Sequence, residues 1–414
     1  AHSPTDYEDG TGAAGPYVHQ LYDKDGNQIG QFSLDITAPS LGSTLVKIKS
    51  TGSSVNDSGV LRKIQEQVAK PSIAKYAFAG NENMRFGEGT EVYGPIHSNG
   101  GIRFDGLAHN VITSGATSYT DTDSDACTKY NAWGVHTCES PKDPAHPTAY
   151  SSHSDVFAAG REVGQPTIDF SGFTTDLATL KSDSQTDGFY RDTAGSNYVG
   201  YHVVLKTNDT FDLYKIKSWA SYPSHCNAPG NGVPTYSVGS QTLQGNYAFP
   251  DNGIIFIQDN VVVDGQINGA RLTIVAALLP VPSDPSNYKN VIVNNDLLYT
   301  NFDSTDAIGL IGQNNVYAGL ISDDNLTVDA ALIAQNGEVG RLHYTGSSCS
   351  YATQNTISLY GMIASYQRYG FAWTDGTGYV NRDITYDANL LYAPPPSFPL
   401  TSDQYQIISW QEVK

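Results

Sequence analysis

Asp121, Asp123 and Asp125 alternate along the run YTDTDSDAC, and alternate carboxylates on a loop are a way of offering several hard oxygens to Ca²⁺. The spacing resembles the opening of an EF-hand loop. No glycine follows Asp125 in register, however, and no glutamate stands at the twelfth position, so a solvated acidic loop is the simpler reading. Calcium is nonetheless the one cofactor the sequence suggests. Asp23, Asp25 and Asn27 repeat the pattern, but Asp25-Gly26 explains them as a hairpin turn. A second acidic set, Asp303, Asp306, Asp323, Asp324 and Asp329, contains the paired carboxylates that glycoside hydrolysis requires. Aspartate is also a common corner residue. His97 has Asp105 and His109 close by in sequence, yet no Gly-x-Ser-x-Gly elbow exists to present a serine to it. His136, His146, His153 and His225 share one block without any H-x-x-x-H or H-E-x-x-H spacing. No combination amounts to catalytic machinery, and the chain is expected not to be an enzyme.

Binding residues are easier to find. Trp133, Trp219, Tyr222 and Tyr236 stand among polar neighbours, where an aromatic ring can stack on a sugar or a protein surface. Acidic residues number 42 against 23 basic ones, and the resulting charge of −19 opposes nucleic acid and anionic lipid. The four cysteines, Cys127, Cys138, Cys226 and Cys349, include no C-x-x-C pair and lie in loop-like surroundings. They read as disulfides in an oxidising compartment. Cys127–Cys138 with Cys226–Cys349 is the preferred pairing of the three that four cysteines allow.

These residues need a scaffold, and the composition predicts an all-β one. Charged residues are only 16% of the chain, whereas glycine (40) and tyrosine (27) are abundant, as in short strands joined by tight turns. Residues 1–16 read as a flexible arm with no visible signal peptide, and no apolar run reaches transmembrane length. Residues 17–80 read as an antiparallel β region: a hairpin around Asp25-Gly26, then STLVKIKSTG, then GVLRKIQEQVAK as a strand paired with the one before. In 81–115 and 251–414 strands alternate with corners, HSNGG, QINGA, GQNNV and AQNGE, as in a β-solenoid whose turns need φ > 0. A sandwich or jelly roll is the alternative. Residues 116–250, rich in Cys and Pro with helical character near Thr174–Thr186, read as an insertion carrying the binding surface.

Two stretches also carry a family resemblance. STGSSVNDSGVLRKIQEQVAKPSIAKYAFAG (50–80), followed by EVYGPIHSNGGIRF (91–104), resembles PilX-like type IV pilus assembly proteins and related minor pilin-like surface proteins. So does the ending ITYDANLLYAPPPSFPLTSDQYQIISWQEVK (384–414). The resemblance implies a bacterial cell-surface or pilus-associated role, with other pilus or surface proteins as partners. It also implies a hydrophobic N-terminal helix for membrane insertion, a segment missing from this sequence. The expected function is therefore structural display or adhesion, with glycans as ligands of the inserted loops. A polysaccharide-acting lyase or hydrolase on the same scaffold and a calcium-stabilised appendage subunit are the alternatives.

Overall fold

The computed structural model describes residues 17–39, 44–57, 59–123, 131–402 and 404–413. The protein is mainly β, with one α-helix among the described residues, and divides into two compact units. One comprises Ala1–Ser72, Leu391–Pro394 and Leu400–Lys414; the other comprises Ile73–Leu390 and Pro395–Pro399.

The smaller unit is a five-stranded antiparallel sheet: Tyr17–Tyr22, Gln28–Thr37, Val46–Ser54, Leu61–Ala69 and Gln406–Val413, in that spatial order. Its first turn follows from the sequence. The Asp23 carboxylate accepts the N–H groups of Asp25 (2.9 Å) and Asn27 (2.8 Å), while Gly26 takes φ +84°, a conformation that favours glycine. The ambiguous segment GVLRKIQEQVAK contains the strand Leu61–Ala69, paired with its predecessor as expected. The register sets Ile36 opposite Ile48 and Val46 opposite Val68, so alternation gathers apolar side chains on one face.

Long parallel ladders dominate the larger unit, with a shorter one joining Met84–Phe86, Ile102–Phe104 and Val135–His136. The first runs through Phe189–Arg191, Ile254–Ile257, Arg271–Ala276, Ala307–Gly312, Asn325–Ala334 and Thr353–Ser365. It then continues through Phe78–Gly80, Ile96–Ser98, Ile112–Ser114 and Arg161–Glu162. Spatial order thus departs from chain order, because the early strands stack on the far side of Thr353–Ser365. The chain must return from Arg161–Glu162 to Phe189–Arg191 at the opposite end of the ladder, and helix Phe173–Thr186 lies in that return. Leu177 and Leu180 of the helix pack in one apolar cluster with Phe256, Ile311, Ile333 and Met362. The alternate residues Ile255, Ile257, Ile274 and Leu310 face a second, larger cluster. Burial on both faces explains the unbroken apolar runs IIFI and AIGLIG.

The second ladder joins Gly200–Lys206, Val261–Gln266, Val291–Ile292, Val316–Ala318 and Val339–Arg341. The third joins Leu297–Leu298, Asn325–Ala334, Thr353–Ser365 and Gly378–Tyr386. Residues 116–250 supply strands Phe189–Arg191 and Gly200–Lys206 to these ladders. They also supply an antiparallel extension, Thr210–Trp219 against Val238–Ala248.

An asparagine stack marks the corner that opens the second ladder. Asn260 Oδ1 accepts from Asn290 Nδ2 (3.2 Å), Asn290 Oδ1 from Asn315 Nδ2 (2.8 Å), and Asn315 Oδ1 from the Glu338 N–H (2.8 Å). Each member precedes a valine, and Val261, Val291, Val316 and Val339 pair in succession. Side-chain amides thereby satisfy polar groups where the ladder hydrogen bonds stop.

Candidate functional site

Trp219 ends the strand Thr210–Trp219, where the chain leaves the antiparallel extension. Its indole packs on Ile216, Val262 and Ile292 and meets the Tyr236 ring edge-on at 5.6 Å. Tyr236 in turn sits 5.6 Å from Tyr317. Its backbone, at φ +50°, is held by Asn294, whose amide donates to the Tyr236 carbonyl (2.8 Å) and accepts from the Gly319 N–H (2.7 Å). The half-buried outer part of Trp219 lines a cleft of about 430 Å³ with Tyr198, Val199, Asp259, Asn260, Lys289 and the loop of Thr193, Gly195 and Ser196.

The polar lining of this cleft is fixed by the scaffold. Asp259 accepts the Ala194 N–H (2.9 Å) and the Asn260 N–H (2.9 Å), and lies 3.3 Å from the Lys289 ammonium. Asn260 donates to the Val199 carbonyl (3.1 Å) while its oxygen serves the asparagine stack. Lys215 donates to the Ala194 carbonyl (2.9 Å) and stands 5.1 Å over the Tyr198 ring, bracing the loop from behind.

Of the four aromatic residues singled out by sequence, the structure therefore brings Trp219 and Tyr236 together. Tyr222 occupies the adjoining loop, donating to the Val233 carbonyl (2.9 Å) with its ring 6.4 Å from Tyr344. Cys226–Cys349 forms a disulfide that ties this loop to the Tyr344 segment, alongside the Asn227–Thr345 bridge. Trp133 is elsewhere, set between His146 (4.4 Å) and Tyr150 (5.0 Å) and donating to the Thr148 carbonyl. Tyr198, Asp259, Asn260 and Lys289 escaped sequence reasoning. Their only signal is the Asn-Val corner, seen at Asn260, Asn290 and Asn315.

The proposed calcium residues stand among cations. Asp121 lies 3.6 Å from Arg103, and Asp123 is paired with Arg368 (2.8 Å) and Arg85 (3.3 Å). Arginines already supply the positive charge that a metal would bring. Asp125 and Cys127 lie outside the described residues, as does the arm 1–16. Cys138 is disulfide-bonded. Among the described residues no group of three or more His, Cys, Asp or Glu is arranged to hold a metal ion. Nor is any helix there long and apolar enough to cross a membrane.

The histidines serve several contacts. His136 and His153 enter one buried network with Asp121 (3.5 Å) and Asp143 (3.7 Å), where Arg161 grips Asp143 through both terminal nitrogens. His146 meets the Trp133 ring edge-on, and His225 precedes Cys226 in the disulfide loop. His97 bonds Thr113 Oγ1 (2.9 Å) and Asn99 Oδ1 (3.3 Å), Asp105 pairs with Arg103 (2.7 Å), and His109 pairs with Glu91 (2.6 Å).

The second acidic set is dispersed among corners. Asp303 bonds Thr305, and Asp324 accepts from the Asn355 N–H. Asp306 accepts from the N–H groups of Ala270, Thr300 and Asn301. Burial raises the Asp323 carboxyl pKa, reinforced by the charge of Asp296. Burial pushes Asp329 up to about 6, against the Tyr299 N–H that it accepts at 2.9 Å. The folded state thus holds the Asp329 proton more tightly than the unfolded chain. Its stabilising contribution is full below about pH 4 and declines as pH rises to about 6. Asp329→Asn keeps an acceptor for Tyr299 without the charge. Urea unfolding at pH 4 and pH 7 should show the variant gaining about 1–2 kcal/mol relative to the parent at the higher pH. A pH-independent difference would contradict this assignment.

The sequence matches no protein-family model and no curated protein. Among solved structures it is similar to the competence-associated pilin ComZ from Thermus thermophilus, at 12% identity and a TM-score of 0.36. The alignment covers 99% of this chain and 91% of that one, and a likeness so distant fixes neither mechanism nor ligand.

Proposed function

We propose that this chain is a non-enzymatic structural or adhesive protein of a bacterial surface or pilus, built on a β-solenoid and resembling PilX-like proteins. The observation that carries the reading is the aromatic cluster around Trp219. It is seated on stacked parallel strands and bordered by a disulfide-clipped loop, while Asp259, Asn260 and Lys289 beside it are held in place by scaffold contacts. That is the construction of a rigid recognition surface, not of a nucleophile with its base. The ladders, with their asparagine-lined corner, support the solenoid part of the reading. The Cys226–Cys349 bond supports an oxidising location outside the cytoplasm.

Fractionation of the source cells tests it. The chain should be labelled on intact cells by a non-permeant biotin reagent and be enriched in sheared filaments, with Cys226 and Cys349 oxidised. Recovery in the cytoplasm with both thiols free would reject the proposal.

A further inference from the structure

The cleft beside Trp219 has the chemistry of a sugar site, and we propose that it binds one neutral pyranose ring of a glycan. The inference deepens the surface-display reading and names its ligand class. Three features support it. First, the indole is a rigid platform: its inner side is packed on Tyr236 and on Ile216, Val262 and Ile292, so little side-chain freedom remains to be lost on binding. A pyranose presents an apolar C–H face to such a ring. Second, the remaining wall offers both donors and acceptors, as a ring of hydroxyls requires. Asn260 uses one amide N–H on Val199, leaving the other, and Lys289 has N–H groups beyond the one facing Asp259. The exposed hydroxyls of Thr193 and Ser196 make no hydrogen bond among the described residues and stand on the same wall. Third, the charges cancel. Among the described residues that line the cleft, Lys289 is the one cation and Asp259 the one carboxylate, and they pair at 3.3 Å, so their charges offset each other. An anionic sugar would meet a chain of net charge −19 without a compensating cation. The volume of about 430 Å³ falls in the range of small-ligand sites and accommodates one ring with its substituents.

A single ring gives weak binding, with a Kd in about the millimolar range. The test is saturation-transfer NMR on the full chain. The probes are short oligomers of glucose, galactose, mannose and N-acetylglucosamine, with glucuronate and sialic acid as anionic comparisons. At least one neutral probe should bind. Trp219→Ala should weaken it at least about tenfold, and Trp219→Phe about threefold or less. Ser196→Tyr, at an exposed loop position whose substitution leaves the core untouched, should fill the cleft and abolish binding. The proposal is overturned if no neutral probe shows transfer, if anionic probes bind more tightly, or if Ser196→Tyr binds like the parent. Because Ser196→Tyr does not disturb packing, it decides the matter even if Trp219→Ala folds poorly. Failure here with the chain still on filaments would remove the sugar site alone. A cytoplasmic chain that binds sugar would remove the surface reading instead.

Discussion

Replacing Arg341 with alanine will destabilise the larger unit by about 3–5 kcal/mol, although the residue touches no carboxylate among the described residues. Arg341 ends the strand Val339–Arg341 and is 1% exposed. One terminal nitrogen donates to the Gly319 carbonyl and to Ser322 Oγ (2.8 Å). The other donates to the carbonyls of Leu320 (2.9 Å) and Tyr351 (2.6 Å). The rings of Tyr344 and Tyr379 lie 5.4 and 5.5 Å from the guanidinium carbon. Burial lowers the Arg341 pKa, yet arginine's high intrinsic basicity keeps it charged. The alanine variant leaves three carbonyls and a hydroxyl without these donors and opens a cavity. Arg341→Met separates the two causes, because it restores volume without donors; a loss of about 2–4 kcal/mol is expected. Arg341→Lys carries three donors on a single nitrogen and cannot reproduce the fork, so it should lose about 1–3 kcal/mol. Urea unfolding monitored by near-ultraviolet circular dichroism reads all three. A methionine variant as stable as the parent would show that packing, not satisfaction of the corner carbonyls, fixes this residue.

Arg341 also illustrates where sequence reading stops. Local features were legible. Asp25-Gly26 specified a hairpin through bonds spanning four residues, GVLRKIQEQVAK contained a strand, and the polar stretch near Thr174–Thr186 became helix Phe173–Thr186. The all-β composition was legible too, but of the four corners expected to need φ > 0, only QINGA has one, at Gly269 (φ +70°), while HSNGG, GQNNV and AQNGE turn without it. Long-range stacking was not. Nothing in FAG at 78–80 announces that it pairs with Ile363–Ser365, because parallel strands joined by distant connections carry no register mark between them. The asparagine stack evades a search for a fixed period, its members being separated by 30, 25 and 23 residues. The cleft inherits that difficulty. Trp219 and Tyr236 stood out as aromatics among polar residues, whereas Asn260 and Lys289 reach the cleft only through the pairing of parallel strands distant in sequence. The groups that bury Arg341, at Gly319–Ser322 and Tyr351, lie 10 to 22 residues away, and nothing beside it in the sequence marks their convergence.

Removing the Cys226–Cys349 disulfide should cost a similar amount by a different route. The bond closes a loop of 123 residues, with the Cα atoms 4.6 Å apart. Restricting that loop in the unfolded chain corresponds to about 5 kcal/mol in the chain-entropy description, and native disulfides commonly contribute about 2–5 kcal/mol. A Cys226→Ala/Cys349→Ala variant should therefore lose about 3–5 kcal/mol, and reduction of the half-buried bond should match it. The folded-state consequences should stay local. Asn227 still pairs with Thr345, but through one bridge on an irregular loop, whereas Val261–Gln266 and Ile254–Ile257 keep partners on both sides. Hydrogen exchange should accelerate around Tyr222–Asn227 and Tyr344–Cys349 and remain slow in those strands. Gly346 gives a second handle on the same loop. At φ +140° any Cβ there would fall 1.8 Å from the His225 carbonyl oxygen, so Gly346→Ala should open the loop even with the bond intact. If the double alanine variant lost under about 1 kcal/mol, the unfolded chain would already hold these segments near each other, and the disulfide would serve kinetic persistence of the fold more than its equilibrium stability.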